Sequence, residues 1–282
     1  MLVTTNGNGC TDTTIHQRVV MDINVDFTIT PTPSCLGDTV WFNGTGDNVT
    51  FTDWEWDFGD GNTGIGRNIF HLYATYDTFD IRLVVCSDTI YRSHIVQEPA
   101  FADAGSDETI CEYYSFDFAT ATTPASAAAY DSLRWFGGLG TFDDPTLLHP
   151  VYTPAPGELG AVQLSLISLA RIPCGNDTSF MTLTIFDGPE ATFTITPPDS
   201  ICVNEPVSLD ANSSTTINLW EWNFGDGNTT TGQNVVYAWS AAGSYDIQLV
   251  VTNTDGCTDT VVQTIQVFEL PVIDFTILPN DS

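Results

Sequence analysis

Trp54-Glu-Trp-Asp-Phe-Gly-Asp-Gly-Asn-Thr63 occurs a second time as Trp220-Glu-Trp-Asn-Phe-Gly-Asp-Gly-Asn-Thr229. A shift of 166 without gaps aligns residues 54–85 with 220–251, and half of the 32 positions are identical. An internal repeat of this kind marks a chain assembled from similar small units. Aromatic and acidic residues alternate in it, so Trp54, Trp56 and Phe58 fall on one strand face, as do Trp220, Trp222 and Phe224. That face must be buried to stabilise so small a unit, which sets core packing ahead of a ligand platform. Gly59-Asp60-Gly61 and Gly225-Asp226-Gly227 supply residues that tolerate positive φ, so each is expected as a tight turn. A second strand is predicted over Phe79–Val85 and over its twin, Tyr245–Val251.

Composition narrows the function classes. The 282 residues give room for two or three domains. Six Arg and no Lys stand against 36 acidic residues, for a net charge of −30. Phosphate backbones need clustered cations, so nucleic acid is excluded as a natural partner, and anionic membrane surfaces are disfavoured. The acidity suits solubility, repulsion between neighbours and divalent cations held by oxygen. No apolar run reaches the ~18 residues that a spanning helix needs, so no membrane insertion is expected. Met1-Leu-Val-Thr-Thr-Asn6 lacks the features of a signal peptide, and a processed form or excised fragment is expected. Short β-branched runs alternate with Gly, Pro and Asn turns throughout, and no stretch holds a helical period, so the fold class is all-β.

Trp222-Asn-Phe-Gly-Asp-Gly227 followed by Gly243-Ser-Tyr-Asp-Ile-Gln-Leu-Val-Val251 resembles the PKD (polycystic kidney disease) domain. That family's signature runs Trp-x-Phe-Gly-Asp-Gly, a Tyr, then Gly-x-Tyr-x-Val-x-Leu-x-Val. The first copy departs from it at Asp77, where the family has Gly. The resemblance implies an immunoglobulin-like β-sandwich in each copy. It says little of function, because one fold hosts many roles. The intervening stretch lacks the Gly-Asp-Gly hairpin. Its phrases Ala102-Asp-Ala-Gly-Ser-Asp-Glu-Thr-Ile-Cys111 and Gly140-Thr-Phe-Asp-Asp-Pro145 look like the PKD-related repeats of very long Bacteroidetes surface proteins.

The expected organisation is a tandem, extended array of PKD-type sandwiches. Residues 1–24 are the C-terminal part of a preceding repeat, 25–98 a PKD-like sandwich, 99–187 an Ig-like sandwich, 188–268 a second PKD sandwich and 269–282 the first strand of a following repeat. The partial ends rest on the parallel between residues 3–35 and 250–282, visible in Asn8-Gly-Cys10-Thr-Asp-Thr13 and Asp255-Gly-Cys257-Thr-Asp-Thr260.

Spacing of the seven cysteines suggests one bridge per domain: Cys35–Cys86, Cys111–Cys174 and Cys202–Cys257, with Cys10 left over for the preceding repeat. Zinc is the rival reading, but there is no Cys-x-x-Cys and the four histidines (16, 71, 94 and 149) are scattered. Disulfides place the chain outside the cell. No hydrolase, metalloprotease or nucleotide-binding motif is present, so no enzyme is expected.

Two further sets of residues each carry two readings. Asp103, Asp107 and Glu108 are either a calcium site at a domain joint or a solvated acidic linker; calcium is the one cofactor in view. Thr13, Thr39, Thr89, Ser132, Ser200 and Thr260 each follow an Asp and precede a β-branched residue or Leu. These triplets resemble the Bacteroidetes O-glycosylation motif; equally, Asp-Thr-Val is a sequence that starts strands. The first functional expectation is a stalk, filament or adhesin segment of a type IX-secreted surface protein, of the gliding or attachment kind. Its partners are neighbouring repeats, other copies in a fibre, and surface glycans. The alternatives are carbohydrate-binding accessory domains of a large secreted hydrolase, or a polymer that exchanges terminal strands.

Overall fold

A computed structural model of the chain describes residues 2–14, 24–46, 54–86, 88–197 and 200–274. They are β throughout, and among the described residues the one helical turn is the 3-10 segment Phe118–Thr120. The parts of the terminal partial repeats at 15–23 and 275–282 lie outside the described residues. The chain divides into two compact units. One holds residues 1–101, 127–132 and 168–177, the other 102–126, 133–167 and 178–282.

The first unit opens with an antiparallel hairpin, Leu2–Thr5 on Thr11–Thr14. A sandwich follows. Its three-stranded sheet orders Val25–Thr30, Val40–Gly46 and Asn68–His71. Its five-stranded sheet orders Ser34–Cys35, Asp88–Gln97, Asp77–Val85, Trp54–Asp57 and Thr63–Ile65. Period-two alternation builds the core: Phe79, Ile81, Leu83 and Val85 point inward while Asp80 and Arg82 face water. Each such burial contributes roughly 1.5–3 kcal/mol. Trp54, Trp56 and Phe58 join them, with Phe27 edge-on to Trp56 at 5.0 Å and Phe42 at 5.0 Å from Phe58. The Asp77 departure leaves the strand start in place: the strand begins at Asp77, as its twin begins at Gly243.

In the second unit the other PKD-like copy repeats this plan. Ala191–Thr196, Val207–Ser213 and Asn234–Tyr237 face a sheet ordered Ser200–Cys202, Thr258–Phe268, Gly243–Asn253, Ile217–Asn223 and Thr229–Thr231. Trp222 and Phe224 are buried as expected, but Trp220 is only half-buried. Gly44 explains the difference. A Cβ there would collide with the Trp54 ring, so its absence opens the slot that Trp54 fills. Ala211 occupies the equivalent position and closes that slot to Trp220.

Between the copies the chain builds a further pair of sheets. One orders Phe116–Asp117, Val151–Thr153 and Thr141–Phe142; the other orders Glu108–Cys111, Asp177–Phe186, Gly160–Ala170 and Tyr130–Gly137. Phe118, Trp135 and Tyr152 are buried here. The buried carboxylate of Glu158 accepts bonds from the backbone N–H groups of Leu139 (2.6 Å) and Ala155 (3.0 Å) and from the Tyr152 hydroxyl (2.9 Å). Burial raises its pKa, and these three donors outweigh burial and hold it below the usual carboxylate range. Burial likewise pushes the Tyr152 hydroxyl up to about 12.

Candidate functional site

The Gly-Asp-Gly turns are structural. Asp60 accepts from the Asn62 N–H and side-chain amide, both at 3.0 Å, and pairs with His71 Nε2 at 2.7 Å. Asp226 accepts from the Asn228 N–H and amide at 3.0 and 3.1 Å, and from the Tyr237 hydroxyl at 2.7 Å. His71 and Tyr237 therefore do one job. Each stacks flat on the signature Phe, His71 at 4.3 Å from Phe58 and Tyr237 at 3.7 Å from Phe224. Burial raises both Asp pKa values, yet the hydrogen bonds bring them below normal. Gly59 and Gly225 have φ of +79° and +78°, and a Cβ at either would press on backbone 2.8 Å away, at Asp80 and Asp246. Every histidine among the described residues is structurally engaged. His94 is buried with its Nε2 at 2.9 Å from Ser34 Oγ, and His149 Nε2 donates to Ala125 O at 2.9 Å. His16 lies outside the described residues.

Asp103, Asp107 and Glu108 do not converge on a common point. Asp103 accepts from Gly105 N, Asp107 from Thr182 N, and Glu108 from Thr122 N and Ser106 Oγ. The backbone bond from Thr122 is the main reason the Glu108 pKa is depressed. No group of three metal-ligating side chains occurs among the described residues. Each of these three carboxylates is engaged by a backbone N–H group. The six hydroxyls at Thr13, Thr39, Thr89, Ser132, Ser200 and Thr260 are all exposed. The residue after five of them turns inward or partly inward: Val40, Ile90, Leu133, Ile201 and Val261. Such strand starts present the hydroxyl outward as a consequence of the pleat.

The cysteines overturn the expected pairing. Cys35 bonds Cys174, and Cys111 bonds Cys257, with Cα atoms 5.3 and 5.6 Å apart. Neither Cys35–Cys86 nor Cys111–Cys174 forms, and Cys257 is not the partner of Cys202. Strand length is the reason. Ser34–Cys35 runs parallel to Val96–Gln97, the far end of a 10-residue strand whose near end follows Cys86. Cys111 sits opposite Phe186, at the far end of the 10-residue strand that Cys174 precedes. Cys202 sits opposite Phe268, at the far end of the 11-residue strand that Cys257 precedes. At ~3.3 Å per residue, each pair within one sandwich is separated by about 30 Å, and a disulfide spans no more than ~7 Å. Every bridge therefore runs from the front strand of one sandwich to the turn before the last strand of the sandwich that follows in sequence. Closing loops of 139 and 146 residues, each contributes about 5 kcal/mol on the chain-entropy account. Sequence spacing alone favoured the shorter loops. The missed signal lies two residues after each front cysteine, where Gly37, Tyr113 and Asn204 all take positive φ and mark equivalent turns.

Comparison with known proteins agrees with the repeat. The family model described as "PKD domain" matches residues 25–92 and 187–268, just over half of the chain. Among solved structures, the chain is similar to one described as a carbohydrate-binding module of the β-sandwich superfamily (33% identity, 29% of this chain and 35% of that one, TM-score 0.28). It spans about a third of that protein's length. It is also similar to the PKD1 domain of Vibrio anguillarum Epp (28% identity, 30% of this chain and 96% of that one, TM-score 0.26). A segment of three titin immunoglobulin domains aligns at 11% identity over 88% of this chain and 100% of that one, with a TM-score of 0.42. On the matched signature segments and the two sandwiches they build, the chain belongs to the PKD domain family.

Proposed function

We propose that the chain is a load-bearing segment of an extracellular surface fibre or adhesin, in which tandem sandwiches are riveted to one another by disulfides. The observation that carries this reading is the pair of bridges Cys35–Cys174 and Cys111–Cys257, which run between sandwiches and not within them. A bridge inside a sandwich protects one fold; a bridge between sandwiches resists separation of neighbours. The domain divisions near 98/99 and 187/188 belong to this proposal, as does an origin in a type IX-secreted Bacteroidetes protein with a role in attachment or gliding. The six exposed hydroxyls are its proposed O-glycan acceptors. Neighbouring repeats, other copies in the fibre and surface glycans are the proposed partners.

The alternative, an accessory glycan-binding region of a secreted hydrolase, calls for a row of exposed aromatic rings. Five of the seven tryptophans (Trp54, Trp56, Trp135, Trp222 and Trp239) are instead buried in cores, which favours the structural reading. Antibody labelling of the native protein in electron micrographs tests the choice. Label along surface threads is the expected result. Label confined to a released, globular hydrolase would replace this reading with the alternative.

A further inference from the structure

Three front cysteines sit in one and the same frame. The residue after each donates its N–H to the end of the last strand: Leu36 to Gln97 O (3.0 Å), Glu112 to Phe186 O (2.8 Å) and Val203 to Phe268 O (2.9 Å). The residue three further on closes a turn onto the cysteine carbonyl: Asp38 N to Cys35 O (3.0 Å), Tyr114 N to Cys111 O (3.2 Å) and Glu205 N to Cys202 O (3.1 Å). The third turn residue has positive φ each time, at Gly37, Tyr113 and Asn204. An acidic side chain also caps the Cys35 and Cys202 N–H groups, from Asp38 and Glu205. Two of these three frames carry a disulfide. The third, at Cys202, holds a half-buried thiol.

The complementary half is also built twice. In the turn of Cys257, Asn253 Oδ1 accepts from Asp255 N and Cys257 N, and Asn253 N donates to Cys257 O. In the turn of Cys10, Asn6 Oδ1 accepts from Asn8 N and Cys10 N, and Asn6 N donates to Cys10 O. Gly256 and Gly9 hold φ of 85° and 81°. Cys257 uses this turn to bond a front cysteine; the Cys10 thiol is exposed and is not in a disulfide.

We propose that Cys202 is a bonding site for the last turn of one more PKD-type sandwich, and that a turn of the Cys10 type is the half it accepts. The product is a disulfide equivalent to Cys111–Cys257, which carries the ladder past the third sandwich. The bond forms by thiol–disulfide exchange. The two thiols lose two protons and two electrons, and a small disulfide such as oxidised glutathione takes them up and leaves as two thiols. This inference deepens the fibre reading and shares its bridges, but a bond at Cys202 is chemistry that can occur without any load.

The partner turn can come from a second copy or from a sandwich further along one polypeptide, and two arms separate these sources. In the first arm, the 282-residue chain is oxidised in a glutathione buffer and its peptides are mapped without reduction. A Cys202–Cys10 peptide and a ladder of oligomers are expected, both lost in Cys202→Ser and in Cys10→Ser. In the second arm, residues 188–268 are appended after Ser282 of the Cys10→Ser chain, supplying a further PKD-type sandwich with the Cys257 turn in cis. A peptide joining Cys202 to a Cys257 turn is expected there, since the first Cys257 is held by Cys111. Either peptide supports the proposal. Cys202 recovered in both arms as a free thiol or a glutathione adduct, while Cys35–Cys174 and Cys111–Cys257 form, overturns it. Failure of the fibre reading would appear in micrographs and leave these peptide maps unchanged.

Discussion

Pulling the chain by its ends tests the riveted arrangement directly. Without bridges, 282 residues extend to roughly 990 Å at ~3.5 Å each. With both bridges intact, the shortest covalent path crosses from Cys35 to Cys174, runs back to Cys111 and crosses to Cys257. That path takes in about 120 residues, so extension stops near ~430 Å. Single-molecule force spectroscopy on the oxidised protein, repeated in reductant, reads the difference of about 560 Å. Cys174→Ser leaves Cys111–Cys257 alone and should give an intermediate length. The pairing expected from spacing would itself stop near ~400 Å, but Cys174→Ser would then extend to about 615 Å, against about 475 Å for Cys111–Cys257 alone. An oxidised trace that reaches the full unbridged length, or one that reductant does not alter, would refute the reasoning.

Other outcomes follow from the cores and turns. Gly59→Ala and Gly225→Ala each force a Cβ against backbone at positive φ and should destabilise their sandwich by about 2–4 kcal/mol, whereas Gly61→Ala, with open space around it, should cost about 1 kcal/mol; urea titration compares them. Glu158→Ala should lose roughly 1–3 kcal/mol at neutral pH, measured the same way, because three donors lose their acceptor. The folded pKa of Glu158 is lowered, so its stabilisation is complete above the unfolded value of 4.5 and is lost as pH falls below it; that part of the acid slope should vanish in the variant. Burial also lowers the His94 pKa, so the unfolded chain takes up a proton that the folded ring refuses. Stability should decline as pH falls below 6.5, and the decline should be weaker in His94→Phe when melting is followed between about pH 7.5 and 5.5.

The aromatic alternation and the Gly-Asp-Gly turns were legible from the chain because both are local: strand period and backbone φ are set by neighbours in sequence. Trp220 was not, because its burial depends on Ala211, which stands in the facing sheet where Gly44 stands in the other copy. The cysteine partners failed for a related reason. Spacing along the chain ranks loops by length, while a disulfide requires two Cα atoms within a few ångströms, and a 10-residue strand intervenes. Glu158 carried no signal at all. Ala155 lies in the Glu158 turn and Tyr152 on the strand leading into that turn, but Leu139 comes from a separate loop brought close only once the sheets are in place. The carboxylates at 103, 107 and 108 looked like a ligand set because they are close in sequence, yet each turns to a different N–H.

The two disulfide loops overlap between Cys111 and Cys174, so every residue from 35 to 257 is enclosed by at least one of them. A protease that nicks any exposed turn in that span therefore releases nothing: the two pieces stay joined through sulfur. Within that span a single cut sheds a fragment only when a reductant accompanies it.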